Sequence, residues 1–192
     1  MATRALPAFV LPLAACAQLA GLDNTTKAQA IDAPPPVDMP AGDMAPPDAA
    51  PCVGGDVHAS DQATGACYIF FVAPLAREQA RMSCLSLAPN TLLVSINSAA
   101  ENTLVKQLIG NNLAFLGGTD AVTEGTFLWP DGTDLTAFKA FNTGEPNNGN
   151  GMLDEDCLVM HGELNGVWDD RPCAPVGGSQ VPGAYSYVCE RD

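Results

Sequence analysis

The stretch EPNNGNGMLDEDCLVMHGELNGVWDDRPC, residues 145–173, decides how the chain is interpreted. It holds three motifs rich in acidic and amide side chains: Glu145-Pro146-Asn147, Glu155-Asp156-Cys157 and Trp168-Asp169-Asp170. Residues 145–170 contain seven Asp or Glu residues and no Lys or Arg, so these carboxylates repel one another unless a cation or water relieves them. Calcium takes about 6–8 oxygen ligands, which must come together from separate segments. The spacing therefore predicts a calcium site.

The same motifs, together with others upstream, resemble the C-type lectin domain, a calcium-dependent sugar-binding fold. The upstream motifs come in the family's order: Leu93-Val94-Ser95-Ile96-Asn97-Ser98, Phe115-Leu116-Gly117-Gly118-Thr119-Asp120 and Thr123-Glu124-Gly125-Thr126. The resemblance ends at Tyr187-Val188-Cys189-Glu190 and covers residues 52–192. It implies an α+β domain with the family's double-loop fold, two helices, short antiparallel sheets and three disulfides.

The residues themselves predict two helices in the first half of this segment. Residues 77–87 are helix-prone, with apolar side chains up to Leu87 on one face. Ser98 and Glu101 have the spacing of a capping box, and Gly110 ends the periodic run that follows. Apolar, β-prone runs predict short strands at residues 67–71, 92–96, 115–116, 126–129, 157–160 and 185–189. Helices early and strands with long loops late indicate an α+β domain.

The chain has seven cysteines, and in a secreted protein an odd cysteine needs an explanation. If Cys16 is set aside, six remain, and several connectivities are open to them. The family resemblance implies three pairs, of which the last corresponds to the longer form of the domain: Cys84–Cys189, Cys157–Cys173 and Cys52–Cys67. No two cysteines have C-x-x-C spacing, so the sequence does not indicate a structural zinc site.

The N-terminus predicts export. In residues 1–15, Arg4 gives a positive start and the apolar stretch after it is too short to span a bilayer, as in a signal peptide. Leu13-Ala14-Ala15-Cys16 resembles a bacterial lipobox, in which the thiol of the cysteine is acylated after cleavage. We therefore expect a lipoprotein at the outer membrane or cell surface, anchored in the membrane through Cys16. The alternative is an ordinary secretory peptide in which Cys16 is incidental.

Residues 16–51 are rich in Ala, Pro and Asp, and seven of the prolines fall between residues 34 and 51. Such a segment buries too little apolar area to offset its ordering entropy, and its prolines favour extended polyproline conformations. We expect it to be a disordered stalk that carries one domain, residues 52–192. The net charge of −14 disfavours binding to nucleic acid or to an anionic membrane surface.

The resemblance also implies the residues of the site. The ligands of calcium and sugar would be Glu145, Asn147, Glu155, Asp169 and Asp170. A second calcium position is implied at Asp120, Glu124, Asn148 and Asp156. In the family the peptide bond before the central proline is cis, a geometry that is inexpensive only before proline. The alternative at both positions is a solvated group of loop acids that bind no ion.

Asp169 departs from the family's pattern, because sugar-binding members usually have Asn there. An amide can ligate calcium and also donate to a sugar hydroxyl, whereas a carboxylate can only accept. We therefore expect calcium to bind as well or better, and one hydrogen bond to the sugar to be lost or inverted. The loop 147–157 also looks two residues longer than in close family members.

The expected function is calcium-dependent binding of glycans or glycoproteins. The triplet Glu-Pro-Asn resembles the version associated with mannose, glucose, fucose or N-acetylglucosamine. The alternative is a protein-binding or adhesion domain that keeps calcium but does not recognise sugar. His58 and His161 are expected at the surface or in loops, and no nucleophile arrangement stands out, so we do not expect an enzyme. Four aromatic side chains are expected in the core: Phe115, Trp129, Phe141 and Trp168.

Overall fold

In the computed structural model, residues 51–176 and 183–192 are described. Seven strands run through them: β1 (Val57–Ser60), β2 (Cys67–Leu75), β3 (Thr91–Leu93), β4 (Leu113–Thr119), β5 (Cys157–His161), β6 (Val167–Arg171) and β7 (Tyr185–Arg191). The helices are α1 (Arg77–Leu87), α2 (Ala99–Ile109) and a 3₁₀-helix (Asn148–Gly151). The predicted signal peptide (1–15), Cys16 and the stalk up to residue 50 lie outside the described residues, so these remain expectations.

The described strands form one seven-stranded sheet in the order β1-β2-β7-β4-β5-β6, with β3 beside β7. Neighbouring strands are antiparallel except β4 and β7, which are parallel. β7 therefore joins the N-terminal hairpin of β1 and β2 to the half that contains β4, β5 and β6. That half carries the acidic motifs, since β5 begins at Cys157 and β6 contains Asp169 and Asp170.

Both helices begin and end where local sequence signals place them. The hydroxyl of Ser98 accepts a hydrogen bond from the Glu101 backbone N–H at 3.1 Å, and Gly110 follows α2 with a φ of 62°. The predicted α1 is confirmed over Arg77–Leu87; on its apolar face Ala80 and Cys84 are buried, whereas Leu87 is 38% exposed. None of the helices in the described part of the chain is both long and apolar enough to cross a membrane.

Some strand predictions are wrong. Residues 126–129 form no strand: Leu128 makes only single bridges, and Trp129 donates its backbone N–H to Thr133 across a turn at 2.8 Å. β3 ends at Leu93, short of the predicted residue 96. β6 was not predicted, because two of its five residues are Asp, which strands generally disfavour.

The core lies on both sides of the sheet. On one side Trp168 is fully buried, and its ring packs edge-on against Trp129, Phe138 and Phe141 at centroid distances of 5.8, 5.6 and 5.9 Å. On the other side Phe115 is buried beside Tyr187 and the Cys84–Cys189 bridge. The predicted core aromatics are therefore confirmed, with Phe141 only partly buried. This packing fixes β6 and hence the position of Asp169, the residue after Trp168.

The three predicted disulfides are confirmed: Cys52–Cys67, Cys84–Cys189 and Cys157–Cys173. Cys52–Cys67 lies at the β1–β2 hairpin, and Cys84–Cys189 ties α1 to β7. Cys157–Cys173 joins the start of β5 to the chain just after β6. The last bridge therefore closes the end of the sheet at which the acidic loop, residues 147–156, enters β5.

Candidate functional site

Three carboxylates meet where the loop after residue 144 approaches β6. Oxygens of Glu145, Asp169 and Asp170 all lie within 4.8 Å of one another. Asp169 and Asp170 are 5% and 2% exposed, and Glu145 is partly buried. The Glu145–Pro146 peptide bond is cis, as the resemblance implies. The structure therefore brings together three of the four carboxylates predicted to form the principal site.

The electrostatics of this group favour a cation. Burial, and then the charges of Asp169 and Asp170, raise the pKa of Glu145 from 4.5 to about 7. Like charges that share a poorly solvated site penalise full ionisation, and a cation between them removes that penalty. The group is thus arranged to hold a cation when all three carboxylates are ionised.

Backbone N–H groups hold Asp170 in place. The N–H of Asn147 donates to both of its carboxylate oxygens, at 3.0 Å to Oδ1 and 3.1 Å to Oδ2, and the N–H of Asn148 donates to Oδ2 at 2.6 Å. Charge-assisted bonds of this kind are stronger than neutral ones. Asp170 therefore fixes the loop that carries Glu145 and Asn147 against the end of β6.

The side chain of Asn147 turns its amide nitrogen toward the acidic group. Its Nδ2 donates to Glu145 Oε2, while its Oδ1 accepts the backbone N–H of Asn150 at 2.9 Å. The oxygen that the resemblance assigns to a metal is thus engaged with the 3₁₀-helix. For Asn147 to act as a ligand, its amide must rotate so that the oxygen takes the place of the nitrogen.

The side chains of Arg171 and His161 both contact Asp169. Its Oδ2 lies 2.5 Å from Arg171 Nη2 and 3.1 Å from His161 Nε2. The expectation that His161 lies at the surface or in a loop is wrong: it is the last residue of β5, and its side chain is only 12% exposed. His58, by contrast, lies exposed on β1. Asp169 keeps Oδ1 free of these contacts, and Arg171 offsets one of the clustered charges.

Sequence reasoning missed the roles of Arg171 and His161, although the strand pattern contains a signal for them. Residues two apart on a strand face the same side, so Arg171 accompanies Asp169. β5 and β6 are paired with Val159 opposite Asp169, which puts His161 at the diagonal position on that face. Finding this group required knowing that β6 is a strand and how it is registered against β5.

Glu155 lies beside the three-carboxylate group without joining it. Its side chain is almost fully buried, and burial raises its pKa even though a backbone hydrogen bond from Gly149 opposes the shift. Its own N–H donates to Asn148 Oδ1 at 2.8 Å. Glu155 is thereby held against the 3₁₀-helix, whose first residue is Asn148.

A second acidic group contains Glu124, Asp154 and Asp156, whose ligand oxygens also lie within 4.8 Å of one another. Two of the residues predicted for the second calcium position are therefore brought together, and Asp154 was missed. The predicted ligand Asn148 uses its Oδ1 to accept the backbone N–H of Glu155.

Asp120 lies next to this second group and has an unsatisfied oxygen. Its Oδ2 accepts the Gly125 N–H at 2.8 Å, but its Oδ1 is buried with no partner among the described residues. Burial raises the pKa of Asp120, and the charges of Asp170 and Asp154 add to the shift. A buried carboxylate oxygen without a partner is costly unless an ion or a water molecule reaches it.

The two groups offer oxygen atoms only, because no described histidine or cysteine belongs to either. Carboxylate and carbonyl oxygens suit calcium, whereas zinc prefers nitrogen and sulfur ligands. The donor chemistry therefore fits calcium at both positions.

Comparison with known proteins identifies the family. Residues 74–179, more than half of the chain, match the Lectin C-type domain. The mouse low affinity immunoglobulin epsilon Fc receptor is 37% identical over 107 residues, which are 56% of this chain and 30% of the receptor. Lectin BRA-3 of Megabalanus rosa is 29% identical over 110 residues, 57% of this chain and 65% of that lectin. The chain thus spans less than two thirds of the length of these curated relatives.

Solved structures agree with this match. The cow C-type carbohydrate-recognition domain of CD23, solved in the presence of a GlcNAc2Man3 oligosaccharide, is 27% identical with a TM-score of 0.59; the match covers 72% of this chain and 95% of that one. A calcium-independent type II antifreeze protein, at 21% identity and a TM-score of 0.58, shares the fold. These relatives are binding proteins and not enzymes. The chain belongs to the C-type lectin domain family.

Proposed function

We propose that this domain binds glycans or glycoproteins through a calcium ion held by Glu145, Asn147, Glu155, Asp169 and Asp170. The observation that carries the proposal is the convergence of the Glu145, Asp169 and Asp170 carboxylates beside the Glu-Pro-Asn loop. The chain also belongs to a family that includes carbohydrate-binding lectins, which supports the same function.

A second ion is proposed at the neighbouring acidic group. Its ligands would come from Asp120, Glu124 and Asp156, with Asn148 as implied by the resemblance and Asp154 as a further oxygen donor. The unpartnered Oδ1 of Asp120 supports this position, because a cation would satisfy it. The ion would also tie the 120–125 loop to the acidic loop.

Sugar recognition would use the same residues that hold the principal ion. The ion, when bound, offers coordination positions to two adjacent sugar hydroxyls. Carboxylate oxygens accept hydrogen bonds from those hydroxyls, and the amide of Asn147 can donate one. The Glu-Pro-Asn order favours mannose, glucose, fucose or N-acetylglucosamine, as the family resemblance implies.

The contact with Arg171 changes how Asp169 is expected to bind calcium and sugar. With Oδ2 paired to Arg171 and His161, only Oδ1 of Asp169 is available to an ion or a sugar. Part of the surplus negative charge is therefore neutralised within the protein. We propose that Asp169 binds calcium more tightly than an Asn would, but less tightly than an uncompensated carboxylate, and still lacks the donor for a sugar hydroxyl.

The second candidate is a calcium-stabilised protein-binding or adhesion domain without sugar recognition. Two observations favour it: Asp169 provides no donor, and the Asn147 oxygen is engaged by Asn150. Both groups of acids would still bind calcium under this alternative, so calcium binding alone does not separate the two functions.

A glycan array probed in calcium and in chelator distinguishes glycan binding from the protein-binding or adhesion function. We expect binding to glycans that end in mannose, glucose, fucose or N-acetylglucosamine, and we expect chelator to abolish it. The double variant Glu145→Ala/Asp170→Ala should lose it too, whereas Glu163→Ala, an exposed acid outside both groups, should bind normally. Calcium-dependent melting without any glycan binding would overturn the lectin function and favour the protein-binding one.

The location is also a proposal. Three disulfides favour an oxidising, extracellular environment. We propose export by residues 1–15, membrane anchoring through lipidated Cys16 and presentation of the domain at the outer membrane or cell surface on the stalk 16–51. No nucleic acid partner is proposed, because the chain carries a net charge of −14.

A further inference from the structure

A cavity of about 430 Å³ opens beside the Glu-Pro-Asn loop. Pro146, which stands between the proposed ligands Glu145 and Asn147, is exposed and forms part of its wall. The cavity therefore adjoins the proposed sugar site at Pro146.

The floor of the cavity is apolar. Phe127 and Leu135 are buried beneath it, and Phe141 is partly exposed. The rings of Phe127 and Phe141 lie 5.8 Å apart, and Phe141 packs against Trp168, the residue before Asp169. The packing that fixes Asp169 thus also fixes the floor of this cavity.

The rim of the cavity is polar and has no net charge. It carries the hydroxyls of Thr126 and Thr136, the carboxylate of Asp134 and the ammonium of Lys139, all on exposed residues. No described carboxylate lies within ion-pair distance of Lys139. Donors and acceptors are therefore both available to a ligand, and a neutral one is favoured over an anion in this acidic chain.

An apolar floor with a neutral, polar rim matches one residue of a carbohydrate. A sugar ring presents an apolar C–H face, which packs on aromatic and proline side chains, and an edge of hydroxyls, which both donate and accept. A purely apolar group would use the floor but would leave the rim groups without partners. Binding pockets typically combine apolar walls with a few convergent polar groups in this way.

We propose that this cavity binds the sugar residue next to the one held at the calcium loop, so that the ligand is a neutral oligosaccharide of at least two residues. The inference rests on the proposed function, since the first residue must be held by the ion. It assigns Lys139, Asp134, Thr126 and Thr136 to specificity for the second residue.

The test compares calorimetric affinities of the exported chain in calcium for methyl α-mannoside and for its α1,2-, α1,3- and α1,6-linked mannobiosides. At least one mannobioside should bind about fivefold or more tightly than the monosaccharide, because one or two further hydrogen bonds and the floor contact are gained. Thr136→Trp, which fills the cavity, and Lys139→Ala should remove that gain and leave the monosaccharide affinity unchanged. Lys106→Ala, a lysine that does not line the cavity, should retain it.

The outcomes are distinguishable. Absence of binding by every sugar contradicts the proposed function itself. Monosaccharide binding with no mannobioside more than about twofold tighter, or a gain that survives Thr136→Trp, overturns only the second subsite. If octyl mannoside gains affinity and loses it in Thr136→Trp while no mannobioside does, the cavity holds an apolar aglycone and the oligosaccharide inference is wrong.

Discussion

At the residue scale, position 169 has Asp where sugar-binding members of the family usually have Asn, and this one difference affects both calcium and sugar binding. From the sequence, a fourth carboxylate in place of the usual Asn predicts that calcium binds as well or better and that sugar binds more weakly. The structure adds that Arg171 and His161 both contact Oδ2 of Asp169. The surplus charge is thus partly compensated within the protein, while the missing hydrogen-bond donor is not.

Asp169→Asn should therefore strengthen monosaccharide binding by up to about tenfold, because the amide donates where the carboxylate could only accept. Calcium affinity should fall at the same time, because an amide replaces a carboxylate. Calorimetric titrations of calcium, and then of sugar into the calcium-loaded protein, measure both. If both affinities moved in the same direction, a general change in stability would explain the result better.

The variant Arg171→Gln tests whether Arg171 compensates the negative charge of Asp169. Removing a positive charge 2.5 Å from Asp169 should tighten calcium binding severalfold. In the Asp169→Asn background the same change should have little effect, because the charge it offset is gone. Equal effects of Arg171→Gln in the two backgrounds would show that Arg171 does not act through Asp169.

At the scale of elements, the helices could be predicted because helix formation depends largely on local sequence. α1 and α2 follow from helix-prone runs and from the Ser98 cap, and their bounds are confirmed. Residues 126–129 looked like a strand, but their backbone makes isolated bridges at Leu128 and turn hydrogen bonds at Thr126 and Trp129 instead. β6 was missed because two of its residues are Asp, which strands generally disfavour. Pairing with β5 holds these residues in a strand, where they form part of the site.

The Cys157–Cys173 bridge should support the site as well as the fold. Replacing both cysteines with Ser should lower the free energy of unfolding by about 3 kcal/mol, as expected for a loop of this length, and should also weaken calcium binding. Replacing Cys52 and Cys67, a bridge of nearly equal sequence separation, should lower stability similarly and leave calcium affinity unchanged. Denaturant unfolding and calcium titration measure the two effects. Equal losses of calcium affinity in the two variants would contradict a local role.

Glu190 on β7 gives the fold a dependence on pH. It accepts the Ser95 N–H at 2.9 Å, and burial raises its pKa from 4.5 to about 8. Because the native state binds this proton more tightly than the unfolded chain, the free energy of unfolding should fall as pH rises through that window.

Glu190→Gln should remove this part of the pH dependence, which is on the order of 2–4 kcal/mol. Urea unfolding on either side of the window, in chelator, measures it, with Glu163→Gln as an exposed control. Parallel pH profiles for the wild type and Glu190→Gln would show that the carboxyl group is not the cause.

At the scale of the whole molecule, the family and its disulfides could be predicted because the motifs keep the family's order along 141 residues. The composition of the site could be predicted only in part. Glu145, Asp169 and Asp170 do meet, but His161, Arg171 and Asp154 are brought to the two groups by strand register and loop path. The direction of the Asn147 amide is set by the 3₁₀-helix, which no sequence pattern indicated.

The N-terminal segment predicts where the molecule works. Mass spectrometry of protein purified from membranes should find a diacylglyceryl group on Cys16 and six cysteines in three bridges. The variant Cys16→Ser should leave the domain folded but release it from the membrane fraction. A soluble mature chain with an unmodified Cys16 thiol would contradict the anchor without affecting the domain.

The most direct test of calcium-dependent glycan binding is a sequential titration of the exported chain. We predict that calcium binds, that methyl α-mannoside binds only after calcium, and that Glu145→Ala/Asp170→Ala abolishes sugar binding while the domain still unfolds cooperatively. Sugar binding of equal affinity in calcium and in chelator, or calcium binding that is unchanged in the double variant, would contradict it.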